Sequence, residues 1–513
     1  MSVPRMPSSK MGGRLRRHAL FLVVLAVAIA FRCYRLTDES LWNDETASIL
    51  CMDAGSLRAF IAEERLDDPA MAPLYFMLEY ACWHATSGSV LACRLLSIAF
   101  GLGAIVLLYA MGRRLFGSCA ALVAAGCAAA AIQQVYYSQE IRMYALYLFT
   151  AMAAMYAFHR MLSGDGPVWW VLCGVTNAAM VWSHLYGVWL LFAQGVLVLA
   201  VRRRDVRALV VWGAIHGPIV LSIAVWVATM DPARIERNLN WIPGIRSEET
   251  AQYLSESALK LTERPPAHDP APRLDQALRL PLAAKGLLGV AWFALPVWAG
   301  VALFRARRKL TAGGDEAGAR RQTFEFVLVA AWLAVPALVL VFLTLVWRPT
   351  FLPRYVLPST LALYLLLGAG VAAIPGRRLR AGCALALIAL YAYDTASFGV
   401  PRRPDMRGAM AVVAREPFGH GARVLIHPSG YLGPARFYSG LPDEALVCVR
   451  EWPAIPETVD SLEGRPVWIV VGALQGAPPD AGPLLEERGH AFDYHYFPGM
   501  FPVRLYRVHR EAP

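Results

Sequence analysis

Two neighbouring acids, Asp44 and Glu45, stand in Leu41-Trp42-Asn43-Asp44-Glu45, shortly after the first apolar run of the chain. A carboxylate can take the proton of an attacking hydroxyl, which is general-base work. The same two acids offer hard oxygen ligands suited to Mg²⁺ or Mn²⁺. They equally suit the first turn of a helix, where carboxylates satisfy free N–H groups and the dipole. Further on, Tyr136-Tyr137-Ser138-Gln139-Glu140-Ile141-Arg142 sets an acid and an arginine beside two tyrosines. His184 and Tyr186 lie in Ser183-His184-Leu185-Tyr186-Gly187, and Arg348 and Arg354 flank Pro349-Thr350-Phe351-Leu352-Pro353. A guanidinium matches phosphate oxygens with a planar fork, and the rings of Trp42, Tyr136 and Tyr137 offer faces or hydroxyls to a ligand. Each group also has a structural reading: Glu140 and Arg142 as an interfacial ion pair, Arg354 as a snorkelling anchor, His184 as an ordinary interfacial histidine.

The elements that must position these residues are read from hydropathy. Of 513 residues 57% are hydrophobic and 17% charged, and apolar runs of about 20 residues recur, the length that spans a bilayer. Eleven spans are expected, beginning near residues 18, 89, 118, 141, 167, 185, 208, 283, 324, 355 and 381. Alternate loops hold Arg113-Arg114, Arg160, Arg202–Arg204 with Arg207, Arg305–Lys309 with Arg320-Arg321, and Arg377, Arg378 and Arg380. Short basic loops of this kind stay in the cytoplasm, which places the N-terminus inside and the acids, His184 and the arginines at the outer ends of different helices. The net charge of +11 is thus topological, and a nucleic-acid partner is not expected.

The expected organisation is a transmembrane domain over 1–398 and a small outer α/β domain over 399–513, with strands at Ala422–His427, Pro466–Val471 and Pro502–Val508. Outer loops cover about 35–88, amphipathic and partly along the interface, and 231–282, polar and Pro-rich, a candidate lid. Ala28-Ile29-Ala30 imitates a signal-peptidase site, but the run leads straight into the Asp44 motif and reads better as an uncleaved first helix. The nine cysteines are scattered without metal-ligand spacing, and nothing in the sequence pairs them. No phosphate loop, GxGxxG after a strand or HExxH is present.

Taken in order, Leu-Trp-Asn-Asp-Glu, Tyr-Tyr-Ser-Gln-Glu-x-Arg-x-Tyr, Ser-His-Leu-Tyr-Gly, Pro353-Arg354-Tyr355-Val356-Leu357-Pro358 and Arg403-Pro404-Asp405-Met406-Arg407-Gly408 resemble bacterial family 39 glycosyltransferases. These are GT-C enzymes, related to protein O-mannosyltransferases and to the aminoarabinose transferases of lipid A. The resemblance implies a polytopic GT-C fold in the bacterial inner membrane, a polyprenyl-phosphate-linked sugar donor and an acid of the first outer loop, here Asp44, as the key catalytic group. Glu45 would orient Asp44 or a metal, Arg354, Arg142 and Arg348 would bind the donor phosphate, and His184, Glu140, Tyr136, Tyr137, Trp42 and Tyr186 would bind sugar or acceptor. No cofactor is required, Mg²⁺ or Mn²⁺ being the exception considered. The acceptor is a lipid, glycan or protein hydroxyl. The first outer loop departs from many relatives, with Met71-Ala72-Pro73 where they carry His-Pro-Pro or Asn-Pro-Pro, and no lysine is placed there. The rival readings are a transporter or lipid flippase with an outward polar vestibule, and a non-catalytic scaffold. Transporters build sites at mid-membrane from repeated halves, and neither repeated halves nor mid-span acids are found.

Overall fold

The computed structural model describes residues 8–67, 71–233, 236, 282–396, 403–415, 422–462, 465–472, 478–498 and 501–509. The expected lid over 231–282 therefore lies almost wholly outside the described residues. Contacts divide the chain into two compact units. The first comprises Met1–Tyr34, Asp68–Leu261 and Leu280–Thr395, the second Arg35–Asp67, Thr262–Arg279 and Ala396–Pro513. Residues 35–67, assigned to the membrane domain from sequence, thus group with the C-terminal segment.

The helices of the first 233 residues are α1 (Ser8–Cys33), α2 (Asn43–Leu50), α3 (Leu57–Asp67), α4 (Pro73–Ala85), α5 (Val90–Leu115), α6 (Gly117–Ala130), α7 (Ile132–Gln139), α8 (Tyr144–Leu162), α9 (Val168–Ser183), α10 (Gly187–Arg202) and α11 (Val206–Ala228). Then follow α12 (Leu282–Ala312), α13 (Glu316–Val346), α14 (Leu357–Ala372) and α15 (Arg377–Ala396). Helices occupy all eleven expected places. Five are long and apolar enough to cross a membrane by themselves: Val90–Leu115, Val206–Ala228, Gly289–Ala312, Glu316–Val346 and Arg354–Ala372. A sixth crossing is formed if α6 and α7, bent by 56°, count as one, and His18–Cys33, Val168–Ser183 and Gly187–Arg202 are shorter apolar helices. The chain is a multi-pass membrane protein.

The bend between α6 and α7 exposes carbonyls that no turn of helix can reach, since Ala131 is extended (φ −70°, ψ 127°). Arg32 of α1, fully buried, takes them. Its guanidinium donates to Ala129 O (3.1 Å) and Ala128 O (3.3 Å), to Ala28 O of its own helix (3.2 Å) and to Ser138 Oγ of α7 (3.1 Å). Thr395 Oγ1 donates to Ala130 O. In return Gln139 Nε2 donates to Arg32 O and Tyr34 O, both at 3.0 Å, closing the C-terminus of α1. Buried backbone groups are nearly always paired, and here side chains complete the account.

Small residues let these helices approach closely, as membrane helices require. A Cβ on Gly368 of α14 would stand 2.2 Å from Ala120 O of α6, and one on Gly112 of α5 would stand 2.9 Å from Ala121 Cα. Between α9, α10 and α11, Asn177 Nδ2 donates to Gln194 Oε1 (2.8 Å) and meets His216 Nε2 (3.1 Å), an interhelical polar tie.

The second unit contains α2, α3, α16 (Met406–Arg415), α17 (Leu432–Ser439), α18 (Ile455–Ser461) and α19 (Gly482–Glu487) with β1 (Arg423–His427), β2 (Leu446–Cys448), β3 (Val467–Gly472), β4 (Ala491–Phe497) and β5 (Val503–His509). The sheet runs β2-β1-β3-β5-β4, parallel between β1, β2 and β3 and antiparallel between β3, β5 and β4. Because strand side chains alternate, Val424, Ile426, Trp468 and Val470 meet Met406, Met410 and Val413 of α16 on one face. Leu425, Ile469 and Val471 meet Ile455, Val459 and Leu485 on the other. The three expected strands are present. The two unanticipated strands are β2, three residues long, and β4, a mostly exposed edge strand whose Asp493, Tyr494 and His495 break the apolar pattern.

Gly368→Ala is expected to destabilise the first unit by about 1–3 kcal/mol, the usual cost of overpacking, because the obstacle is backbone and cannot rotate away. Thermal unfolding of the detergent-solubilised protein checks this, and an unchanged midpoint would contradict the packing described.

Candidate active site

Three segments of the first unit supply one cluster. The N-terminal turn of α8 carries Tyr144 and Tyr147, three residues apart and hence on one face. The connection between α9 and α10 is only three residues, His184-Leu185-Tyr186, with Gly187 N donating to His184 O (2.8 Å). At Gly187 a Cβ would press on Met180 at 3.1–3.2 Å, so the residue that follows the turn has to be small. The third segment is the 3-10 turn Pro353–Val356, with Arg354 and Tyr355. Thr350 pins the preceding segment to α13, its N–H donating to Thr344 Oγ1 at 3.1 Å.

His184 lies at the centre. Its ring centroid is 4.8 Å from that of Tyr147 and nearly parallel to it, 5.4 Å from Tyr355, 5.6 Å from Tyr186 and 6.0 Å from Tyr144. Tyr186 and Tyr355 stack at 4.1 Å, and Tyr147 Oη donates to Tyr355 O at 3.4 Å. From Tyr144 the aromatic contacts continue to Tyr137 (4.7 Å) and on to Tyr136 (5.2 Å). The Arg354 guanidinium lies 5.9 Å from the Tyr144 ring and 5.8 Å from that of Tyr355, within cation–π range. Arg142 is buried over Phe76 at 5.2 Å, and Glu140 is buried two residues before it. Arg348 sits over Trp347 at 5.3 Å.

Burial first, then the positive charges of Arg354 and Arg142, press the His184 pKa down to about 3. An imidazolium there would lose water and face two cations, so His184 is neutral at any physiological pH. The sign for stability follows. The unfolded chain takes up a proton as pH falls through about 6.5 while the folded site refuses it, so this group's contribution declines from there down to about 3. Burial and Tyr355 likewise push the Tyr186 phenol up, which keeps it a hydroxyl.

Asp44, Glu45 and Trp42 lie in the second unit, at the start of α2. Glu45 Oε2 accepts from Trp42 N (3.3 Å), bracing the first turn, and forms a fully buried ion pair with Arg403 Nη1 at 2.7 Å. Further ties hold the segment: Leu41 N donates to Tyr438 Oη (2.7 Å), and Ser40 Oγ to Asp405 Oδ1 (3.2 Å). Arg407 donates to Thr37 O (3.0 Å) and Glu39 O (3.1 Å). Thr46 faces Gly433 so closely that a Cβ there would lie 2.7 Å from Thr46 Oγ1. Asp44 is half-buried beside this anchored residue. Among the described residues no three His, Cys, Asp or Glu side chains converge as metal ligands would.

The structure therefore gathers His184, Tyr186, Arg354, Arg142, Tyr137 and Tyr136 into one neighbourhood of the first unit, and Trp42, Asp44 and Glu45 into one of the second. Sequence reasoning missed Tyr147, although its spacing from Tyr144 on an amphipathic turn was a usable signal. It also missed the Arg403 partnership with Glu45, a pairing across 358 residues that no local pattern encodes.

A profile of the dolichyl-phosphate-mannose-protein mannosyltransferase family matches residues 71–227, a stretch that includes the Tyr136–Tyr144 and Ser183–Gly187 motifs. ArnT from Cupriavidus metallidurans bound to undecaprenyl phosphate superimposes with a TM-score of 0.51 at 13% identity, over 95% of this chain and 97% of that one. The apo state of the same protein gives 0.47 at 15% identity over 97% and 98%. The Archaeoglobus fulgidus oligosaccharyltransferase tethered with an NVT-containing acceptor peptide gives 0.49 at 13% over 94% and 72%. No curated protein matches in sequence. The fold is GT-C, a polytopic helical membrane domain with a small C-terminal α/β domain. The likeness to the mannosyltransferase and ArnT type, first drawn from motifs, is borne out by both the family match and the fold.

Breaking a buried ion pair by truncating one partner typically costs about 3–5 kcal/mol. Glu45→Ala and Arg403→Ala are each expected to destabilise the second unit by that order, and the double variant by less than the sum. Strict additivity in thermal or denaturant unfolding would refute the coupling.

Proposed function

We propose that this protein is a membrane glycosyltransferase that moves a sugar from a polyprenyl-phosphate-linked donor to an acceptor hydroxyl on the outer, periplasmic side of the bacterial inner membrane. The observation that carries this reading is the cationic, tyrosine-walled site around His184 within a GT-C fold. Two guanidiniums answer a phosphate, and stacked rings with hydroxyls answer a sugar. The basic inner loops supply the orientation, and an outward site needs a donor that has crossed with its lipid, since nucleotide sugars are made in the cytoplasm. The undecaprenyl phosphate bound by the structurally similar ArnT is a molecule of this class.

In the reaction Asp44 takes the proton of the acceptor hydroxyl as that oxygen attacks the anomeric carbon. The bond from that carbon to the phosphate oxygen breaks, and the electron pair leaves with the polyprenyl phosphate. Arg354, Arg142 and Arg348 hold the phosphate and stabilise the charge it gains. Attack from the face opposite the phosphate inverts the anomeric centre. Tyr136, Tyr137, Trp42, Tyr186 and Glu140 contact sugar or acceptor. Glu45 is a positioning residue, because its carboxylate is committed to Arg403 and to the first turn of α2. That commitment also argues against Asp44 and Glu45 as a chelating pair, and the step is written without a metal.

The purified protein is expected to release polyprenyl phosphate from at least one donor of a panel of polyprenyl-phosphate sugars. Asp44→Asn should lower the rate by about 10²–10⁴, the usual worth of general-base help. Equal turnover by a folded Asp44→Asn protein removes Asp44 as base. No turnover with any donor, together with lipid movement in vesicles, favours a flippase. Turnover that EDTA abolishes and Mg²⁺ restores would overturn the metal-free reading.

A further inference from the structure

We infer that His184 acts as a fixed, neutral N–H donor to the phosphate of the lipid-linked substrate, neither the base nor a sugar ligand. The inference rests on the proposed transferase reading and adds a role at the same site. Its first support is the tautomer. Tyr186 N donates to His184 Nδ1 at 3.3 Å, so Nδ1 carries the lone pair and the ring proton resides on Nε2. A ring whose accepting nitrogen is already occupied by a backbone N–H cannot take a proton from an acceptor hydroxyl.

Its second support is an incomplete account. His184 is 5% exposed, and Nε2 is buried with no hydrogen-bond partner among the described residues. A buried donor left without an acceptor is costly, and a bound oxygen removes that cost. The surroundings select that oxygen. Arg142 at the entry to α8 and Arg354 of the 353–356 turn are the cations whose fields act on the ring. Arg354 shares the Tyr144 and Tyr355 rings with it. The other titratable neighbours, Tyr144, Tyr147, Tyr186 and Tyr355, are phenols and neutral near pH 7. The fields of Arg354 and Arg142 at the ring favour an oxyanion over a sugar hydroxyl. A neutral donor within the fields of the two guanidiniums adds direction without a third charge to desolvate.

The test uses the full-length protein in nanodiscs, with undecaprenyl phosphate, undecaprenol and inorganic phosphate as probes and native mass spectrometry as the readout. His184→Leu is expected to weaken undecaprenyl phosphate about 10- to 100-fold, the worth of a hydrogen bond to a charged group, and to leave undecaprenol unaffected. His184→Gln, whose amide N–H reaches a similar place, should recover most of the affinity. Wild type and His184→Gln should show parallel pH dependence between pH 5.5 and 7.5. Tight binding of inorganic phosphate that displaces the lipid would mark a free-phosphate site and overturn the proposal. So would unchanged lipid-phosphate affinity in the Leu variant with only the sugar-dependent KM raised. A loss of affinity above pH 6.5 in wild type but not in the Gln variant would make imidazolium the ligand. Should the Leu variant fail to fold, the Gln variant and the pH comparison decide the matter. Failure of wild-type donor turnover alongside intact lipid-phosphate binding would count against the transferase reading alone.

Discussion

A fully buried guanidinium bonded to the backbone of a broken helix is the constraint on which the membrane unit depends. Among the described residues Arg32 has no carboxylate as a hydrogen-bond partner; it is held chiefly by carbonyls at the C-terminal end of α6, where the helix dipole is negative. Without that cation, Ala128 and Ala129 would present unsatisfied carbonyls inside a membrane domain, where water cannot replace the partner. The bend of 56° is thus stabilised by one side chain from another helix. Its consequence is positional: α7 leaves the break in a new direction and ends at Gln139, so that Glu140 and Arg142 fall in the short link before Tyr144. The close approach of Gly101, where a Cβ would stand 2.2 Å from Ser138 Oγ, belongs to the same lock.

Arginine serves three different ends in this chain, and the surroundings tell them apart. Arg32 satisfies backbone. Arg403 neutralises an acid and makes a buried pair in the second unit. Arg354 lies against tyrosine faces beside a neutral histidine, where a charge is kept near rings that can also receive a ligand. Arg32 and Arg403 are met by carbonyls and a carboxylate in structural ties, whereas Arg354 and Arg142 add their fields to the burial that keeps the His184 imidazole deprotonated, and the proposed binding of an anion draws on those fields.

The parts of this architecture legible in sequence were those with period and composition behind them. Apolar runs marked eleven helix places of the membrane unit, though not the short α7, and short β-like runs such as Val424–Ile426 and Val467–Val471 marked the sheet. The β4 strand escaped because an edge strand in water needs no apolar face. Candidate site residues were found through the improbability of charged groups near a bilayer, which located Arg142, His184 and Arg354 without indicating that Tyr147 would stack on the histidine. Nor could sequence reveal that residues 35–67 group with the C-terminal segment that begins at Ala396. Such grouping depends on tertiary pairs like Leu41–Tyr438 and Glu45–Arg403, which carry no local signature.

The two adjacent acids show how far helical geometry separates neighbours in sequence. Successive residues on an α-helix point about 100° apart, so Asp44 and Glu45 cannot share an environment. Glu45 falls on the stripe with Ser48 and Ile49, the i+3 and i+4 positions, and all three are buried. A carboxylate on that stripe requires a counter-ion, and Arg403 supplies it. Asp44, rotated off the stripe, remains half-exposed on a helix that its neighbour has immobilised. The general base proposed at Asp44 needs both conditions, access to the hydroxyl it would deprotonate and a backbone that does not drift. The Glu45–Arg403 pair supplies the second without compromising the first. On the proposed role of Asp44, this is a physical reason for two acids in succession.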